Sequence, residues 1–159
     1  MNKFILFLSV ALAALVSGCG SQSNAYESFA EHFGETAAFA YAHVGNSDVL
    51  LVSHEVFGDD ESEGLQAIAT SIFALDPEGK IVSLGSIRSQ GTLYPVSLID
   101  NKLMVAGHCF VTTYDIRGEV PELVLVSHEE GDCESPQLAA LFETFQRATP
   151  IEFSCNPEQ

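Results

Sequence analysis

Apolar residues recur along this chain in two distinct rhythms. Residues 25–33 carry Tyr26, Phe29, Ala30 and Phe33 at helical spacing, with Glu27 and Glu31 between them. Asn24 is a suitable cap and Gly34 a suitable stop, so a short amphipathic helix is expected there. From residue 37 the rhythm shortens. Residues 37–44 and 49–57 are two apolar runs around Gly45-Asn46-Ser47-Asp48, which predicts a β-hairpin. Residues 65–75 and 81–87 flank Asp76-Pro77-Glu78-Gly79-Lys80 and read as strand, turn, strand. Residues 93–99 and 102–106 flank Asp100-Asn101, a tight hairpin signal. Residues 109–116 are rich in β-branched and aromatic side chains, and residues 122–128 return after Arg117-Gly118-Glu119.

The helical rhythm comes back once. Ser135-Pro136 offers a cap followed by proline at the first helical position. Leu138, Leu141, Phe142 and Phe145 then repeat at threes and fours, and Pro150 stops the run. Residues 151–153 allow a last short strand. The expected fold class is α+β: an antiparallel β-meander sheet packed by an N-terminal and a C-terminal amphipathic helix, in one domain over residues 25–159.

The N-terminus follows neither rhythm. Met1-Asn2-Lys3 is a basic start, and thirteen apolar-region residues, 4–16, precede Ser17-Gly18-Cys19. A bilayer needs about 20 such residues, so the pattern is that of a secretory signal. Val16-Ser17-Gly18-Cys19 resembles the lipobox of bacterial lipoproteins. The resemblance implies cleavage before Cys19, a diacylglycerol thioether on its sulfur and often an acylated amino group. It divides the chain into a signal peptide at 1–18, a lipidated polar tether at 19–24 and the domain. It also implies placement on the extracytoplasmic side of a bacterial membrane, the outer membrane in a two-membrane cell. The remainder is similar, through weaker motifs, to small secreted or lipid-anchored bacterial domains of helix-hairpin-meander order. Their "Y-x-D-x-D-G-x-x-E-L-L" hairpin has its counterpart at residues 41–51, but His43 and Gly45 stand in the acidic positions, which argues against a calcium loop.

Charge narrows the partners. The whole chain has 6 basic and 22 acidic side chains, a net of −16. Without Lys3, 5 basic residues face the same 22 acidic ones, a net of −17. Such a surface repels nucleic acid and anionic lipid headgroups, so membrane attachment falls to the lipid. A protein partner in the envelope remains compatible with it, and no sequence pattern calls for a cofactor.

Candidate chemistry is sparse. Leu-Val-Ser-His-Glu occurs at residues 51–55 and, as Leu125-Val126-Ser127-His128-Glu129, again at 125–129. Adjacent strand residues point to opposite faces, so Ser53 and His54, or Ser127 and His128, do not form a nucleophile and base with each other. Each motif reads as a polar strand end leaving the sheet into an acidic loop. His108-Cys109 meets the same objection, and the apolar neighbours of Cys109 suggest a buried, quiet thiol inside a strand. His54, Glu55, Asp59, Asp60, Glu61 and Glu63 form one set of hard ligands; His128, Glu129, Glu130, Asp132 and Glu134 form a second. Neither has an EF-hand spacing, and both read as solvated loops. An oxidising compartment permits one disulfide among Cys109, Cys133 and Cys155, and Cys133–Cys155 is favoured because both flank the C-terminal helix. Such a loop stabilises by roughly 3 kcal/mol. The sequence therefore points to a non-catalytic binding or scaffolding domain. The alternatives are an envelope hydrolase using Cys109 or a Ser/His site, and a divalent-cation-binding surface protein.

Overall fold

The computed structural model describes residues 19–59 and 64–155; the signal-peptide reading of residues 1–18 lies outside them. Eleven strands and two α-helices follow one another as α1 (Cys19–Ala30), β1 (Ala38–Val44), β2 (Ser47–Ser53), β3 (Val56–Asp59), β4 (Gly64–Ala67), β5 (Ala69–Leu75), β6 (Ile81–Arg88), β7 (Ser97–Ile99), β8 (Lys102–Gly107), β9 (Phe110–Arg117), β10 (Glu122–Glu130), α2 (Pro136–Gln146) and β11 (Thr149–Pro150). The described chain is mainly antiparallel β, and the expected single sheet is two. The first has the order β1-β2-β5-β6 and the second β10-β9-β8-β7-β11, with β3 and β4 as a separate hairpin.

Burial explains why one sheet became two. Val49, Leu50, Leu51 and Val52 are consecutive on β2 and all are buried, as are Leu103, Met104, Val105 and Ala106 on β8. Successive side chains on a strand point to opposite faces, so these runs demand cover on both sides. The inner faces meet each other: Ala38, Val44, Val49, Leu51, Ile72 and Ile87 pack with Leu103, Val105 and Ile116. The outer faces take one helix each. Tyr26 and Ala30 of α1, with Phe29 and Phe33, lie on Phe39, Leu50, Val52 and Phe73. Leu138 and Phe145 of α2, with Leu141 and Phe142, lie on Met104, Ala106 and Val111. The result is a helix–sheet–sheet–helix stack.

Both helices obey local rules. Ser135 accepts a hydrogen bond from Leu138 N at 3.3 Å, and Pro136 opens α2. α1 includes residues 19–24, so the polar stretch expected as a tether is helical. Once packing of Tyr26 and Ala30 fixes a nucleus, adding preceding residues costs little. After Ala30 a 3-10 turn, Glu31–Phe33, ends at Gly34 with φ 78°.

Hydrogen bonds at several places hold the sheets together. At one end, the β1–β2 turn meets the second sheet: Gly45 N donates to Asn101 O at 2.7 Å. Gly45 has φ 62°, and a Cβ there would run into the backbone carbonyl of Ile116. Asn101 belongs to the β7–β8 turn, where Asp100 and Asn101 both have positive φ (49° and 57°), as a two-residue hairpin requires. Elsewhere the last described segment runs from sheet to sheet. Thr149 and Pro150 pair with β7, Ile151 N donates to Val96 O at 3.0 Å, and Phe153 N donates to Leu65 O at 2.7 Å. Phe39 and Ser154 then exchange two bonds of 2.8 Å. Ile151 and Phe153 are buried in the shared core.

Two consequences are measurable. Leu51→Ala removes a fully buried side chain and is expected to destabilise the fold by about 2–5 kcal/mol in urea titration, against less than about 0.5 kcal/mol for Leu93→Ala at an 84% exposed position. Tyr26 donates its phenol to Asp48 O at 2.9 Å, and burial raises its pKa to about 12. Its folded pKa exceeds the ordinary value of 10.0, so its stabilising contribution is complete below pH 10 and is lost as pH rises toward 12. Alkaline spectrophotometric titration is expected to show one tyrosine ionising last, and Tyr26→Phe to remove that phase.

Candidate functional site

The first Leu-Val-Ser-His-Glu motif ends β2. Ser53 is buried, and its Oγ accepts Glu55 N at 3.0 Å, closing the backbone as the strand exits. His54 is exposed and its Nδ1 lies 3.4 Å from Thr36 Oγ1. Glu55 pairs with Arg88 of β6. Ser53, His54, Glu55 and Arg88, with Thr70, Ser71 and Ser86, line a groove of about 240 Å³. Arg88 also borders an adjoining open groove with Ser89, Gln90 and Glu130. Among the described residues no hydrogen bond joins Ser53 Oγ to a histidine.

The second motif departs from the expected strand exit. Ser127, His128 and Glu129 remain inside β10, paired with Thr113, Thr112 and Val111 of β9. A bulge between Leu125 and Ser127 shifts the register just before them. His128 Nδ1 is 2.7 Å from Thr112 Oγ1, its across-strand neighbour, and its Nε2 is 3.5 Å from Glu130 Oε2. β2 is an inner strand of one sheet and β10 the edge of the other, so the repeated letters occupy unlike places. Of the first acidic run, residues 60–63 lie outside the described part.

The cysteines rearrange the expected picture most. Cys109 is in the two-residue turn between β8 and β9, not within the strand. It forms a disulfide with Cys133, which arrives from the loop between β10 and α2; their Cα atoms are 4.8 Å apart and 24 residues separate them. Cys155 is a free, exposed thiol, so the expected Cys133–Cys155 bond is replaced by Cys109–Cys133. The physical reason lies in the two ends of α2. Before it, Gly131 N donates to Cys109 O at 3.1 Å and sets Cys133 over the β8–β9 turn. After it, the chain runs away to the first sheet, where Ser154 is tied to Phe39.

That turn gathers reactive side chains on hydrogen-bonded backbone. A Cβ on Gly107 would collide with the Phe110 ring and Gln90 Oε1, and Gln90 Oε1 accepts His108 N at 3.0 Å. The loop opposite is fixed by Asp132, whose Oδ1 accepts Glu134 N at 3.0 Å and whose carbonyl accepts Ser135 N at 3.0 Å. One ligand atom from each of His108, Cys109 and Cys133 lies within 4.8 Å of the others.

A fourth feature is apolar. Leu93, Tyr94 and Pro95 form one wall, and Phe142, Phe145 and Ala148 the other, of a groove of about 440 Å³ beside α2. Its aromatic wall was legible only as the buried side of α2, because the loop residues facing it carry no periodic signal. Among the described residues no helix is long and apolar enough to cross a membrane. Comparison with family models, curated proteins and solved structures gives no match.

The cysteine pairing is directly checkable. Proteolysis of the unreduced protein is expected to release Cys109 and Cys133 in one linked pair of peptides, with Cys155 alkylated before any reductant is added. A peptide linking Cys133 to Cys155 would contradict the arrangement.

Proposed function

We propose that this chain is a lipid-anchored protein of the bacterial cell envelope, attached through Cys19, whose domain acts by binding or scaffolding rather than by catalysis. The observation that carries the reading is the sequence itself: a basic start, an apolar run over residues 4–16 and the lipobox-like Val16-Ser17-Gly18-Cys19. Seven helical steps, about 10 Å at 1.5 Å per residue, separate Cys19 from buried Tyr26. An acyl chain on Cys19 would hold the domain close to the bilayer, with α1 and the first sheet nearest to it. The acidic surface would be repelled by anionic headgroups, leaving the lipid as the attachment and a cationic envelope protein as the favoured class of partner.

The side chains a hydrolase would need are otherwise occupied. Ser53 Oγ holds the Glu55 amide, both motif histidines face threonines, and Cys109 is bonded to Cys133. This favours the binding reading over the hydrolytic one. The groove around Ser71, Ser86 and Arg88 is a concave surface that supports this reading.

Detergent phase partitioning tests the anchor. The protein made with its own N-terminus in a bacterial host is expected in the detergent phase, and Cys19→Ala in the aqueous phase. Equal partitioning of the two would overturn the attachment through Cys19.

A further inference from the structure

The β8–β9 turn and the loop before α2 place one imidazole and two sulfurs together, each on backbone fixed by hydrogen bonds. His108 is held through its amide by Gln90, Cys109 through its carbonyl by Gly131, and Cys133 lies inside the turn that Asp132 closes onto Glu134 and Ser135. His108 and Cys133 are exposed and Cys109 is half-buried, so the cluster is open to solvent on one side. Asp132 and Glu134 flank Cys133 and lower the cost of bringing a cation there.

We infer that, when the Cys109–Cys133 bond is reduced, His108, Cys109 and Cys133 form a redox-gated binding site for a thiophilic divalent cation of the zinc class. The disulfide form has no thiolate to offer. A dithiol reductant supplies two electrons and two protons, leaves as its own disulfide, and converts the bond to two thiols. The cation then displaces both thiol protons and takes two thiolates and one imidazole nitrogen. Zinc bonds sulfur at about 2.3 Å and imidazole nitrogen at about 2.0–2.1 Å, which sets two thiolates about 3.7 Å apart in a tetrahedral site. A disulfide holds its sulfurs about 2.0 Å apart, so the reduced pair must open by roughly 1.7 Å. The three donors already lie within 4.8 Å of one another, and rotation of the exposed Cys133 side chain about its χ1 angle supplies that opening without moving the loop. The fourth position faces solvent and would take water. Soft sulfur donors favour zinc over the magnesium or calcium that an acidic surface attracts loosely.

The test uses the full chain with Cys19→Ser and Cys155→Ser, so that only the pair contributes thiols. After reduction with a phosphine under nitrogen, Co²⁺ is titrated in as a coloured probe and then displaced with Zn²⁺. The expected result is one equivalent of Co²⁺ bound with a sulfur-to-metal charge-transfer band, displaced by Zn²⁺, and no such band in the oxidised protein. His108→Ala keeps both cysteines and the oxidised fold and is expected to weaken Zn²⁺ binding at least tenfold; Cys133→Ser is expected to abolish the band. Circular dichroism of the reduced protein and of each variant reports folding separately. Absence of the band in the folded, reduced protein would overturn the proposal, as would its absence because reduction unfolds the chain. Unchanged Zn²⁺ affinity in His108→Ala, or an equal Co²⁺ spectrum in the oxidised form, would overturn it too.

Discussion

The structure depends on one constraint: the inner strands β2 and β8, one in each sheet, are apolar on both faces. Leu50 and Leu51 of β2, and Met104 and Val105 of β8, are neighbours in sequence, point in opposite directions, and are all buried. Each fully buried aliphatic side chain contributes about 1.5–3 kcal/mol, so neither face can be left in water. Facing the sheets together satisfies the inner set. The outer sets require a helix apiece, and the chain has one before the first strand and one after the tenth. The C-terminal segment then crosses from β7 to β1 and inserts Ile151 and Phe153 into the shared core.

This arrangement creates the reactive cluster as a by-product of packing. To cover Met104, Ala106 and Val111, α2 must start beside the β8–β9 turn. The serine cap and Pro136 then fix where the preceding loop runs, and Cys133 falls opposite Cys109. Closing a loop of 24 residues stabilises by roughly 3 kcal/mol in the chain-entropy account, comparable to one large buried side chain. The bond thus links helix placement to sheet geometry, and its reduction would expose thiolates without dismantling the hydrogen bonds that hold the two loops.

Much of the fold was legible in particular residues. Ser135-Pro136 and the Leu138, Leu141, Phe142, Phe145 spacing correspond to α2, and Asp100-Asn101 to a two-residue turn with positive φ at both positions. The run 65–75 is β4 and β5, broken at Ile68. The second sheet was not legible, because unbroken apolar runs such as 49–52 show that both faces are buried but not what buries them. His54-Glu55 likewise hid a break between β2 and β3 inside one apolar stretch. The disulfide was missed for a related reason: Cys109 follows apolar β8 and resembles strand in one dimension, while its position in a two-residue turn depends on Gly107 and Phe110 pairing across it. At the motif Ser127-His128-Glu129 the letters suggested an exit, but pairing with β9 continues through all three residues.

The claim that the C-terminal segment is structural, joining the two sheets rather than lying on them, is tested most directly by native-state amide hydrogen exchange. The amides of Phe39, Phe153 and Ser154 are expected to exchange only through global unfolding, with the same denaturant dependence as Leu51 and Val105 in the centres of the sheets. Exchange of Phe153 and Ser154 through a smaller, denaturant-independent opening while Leu51 and Val105 stay protected would contradict it.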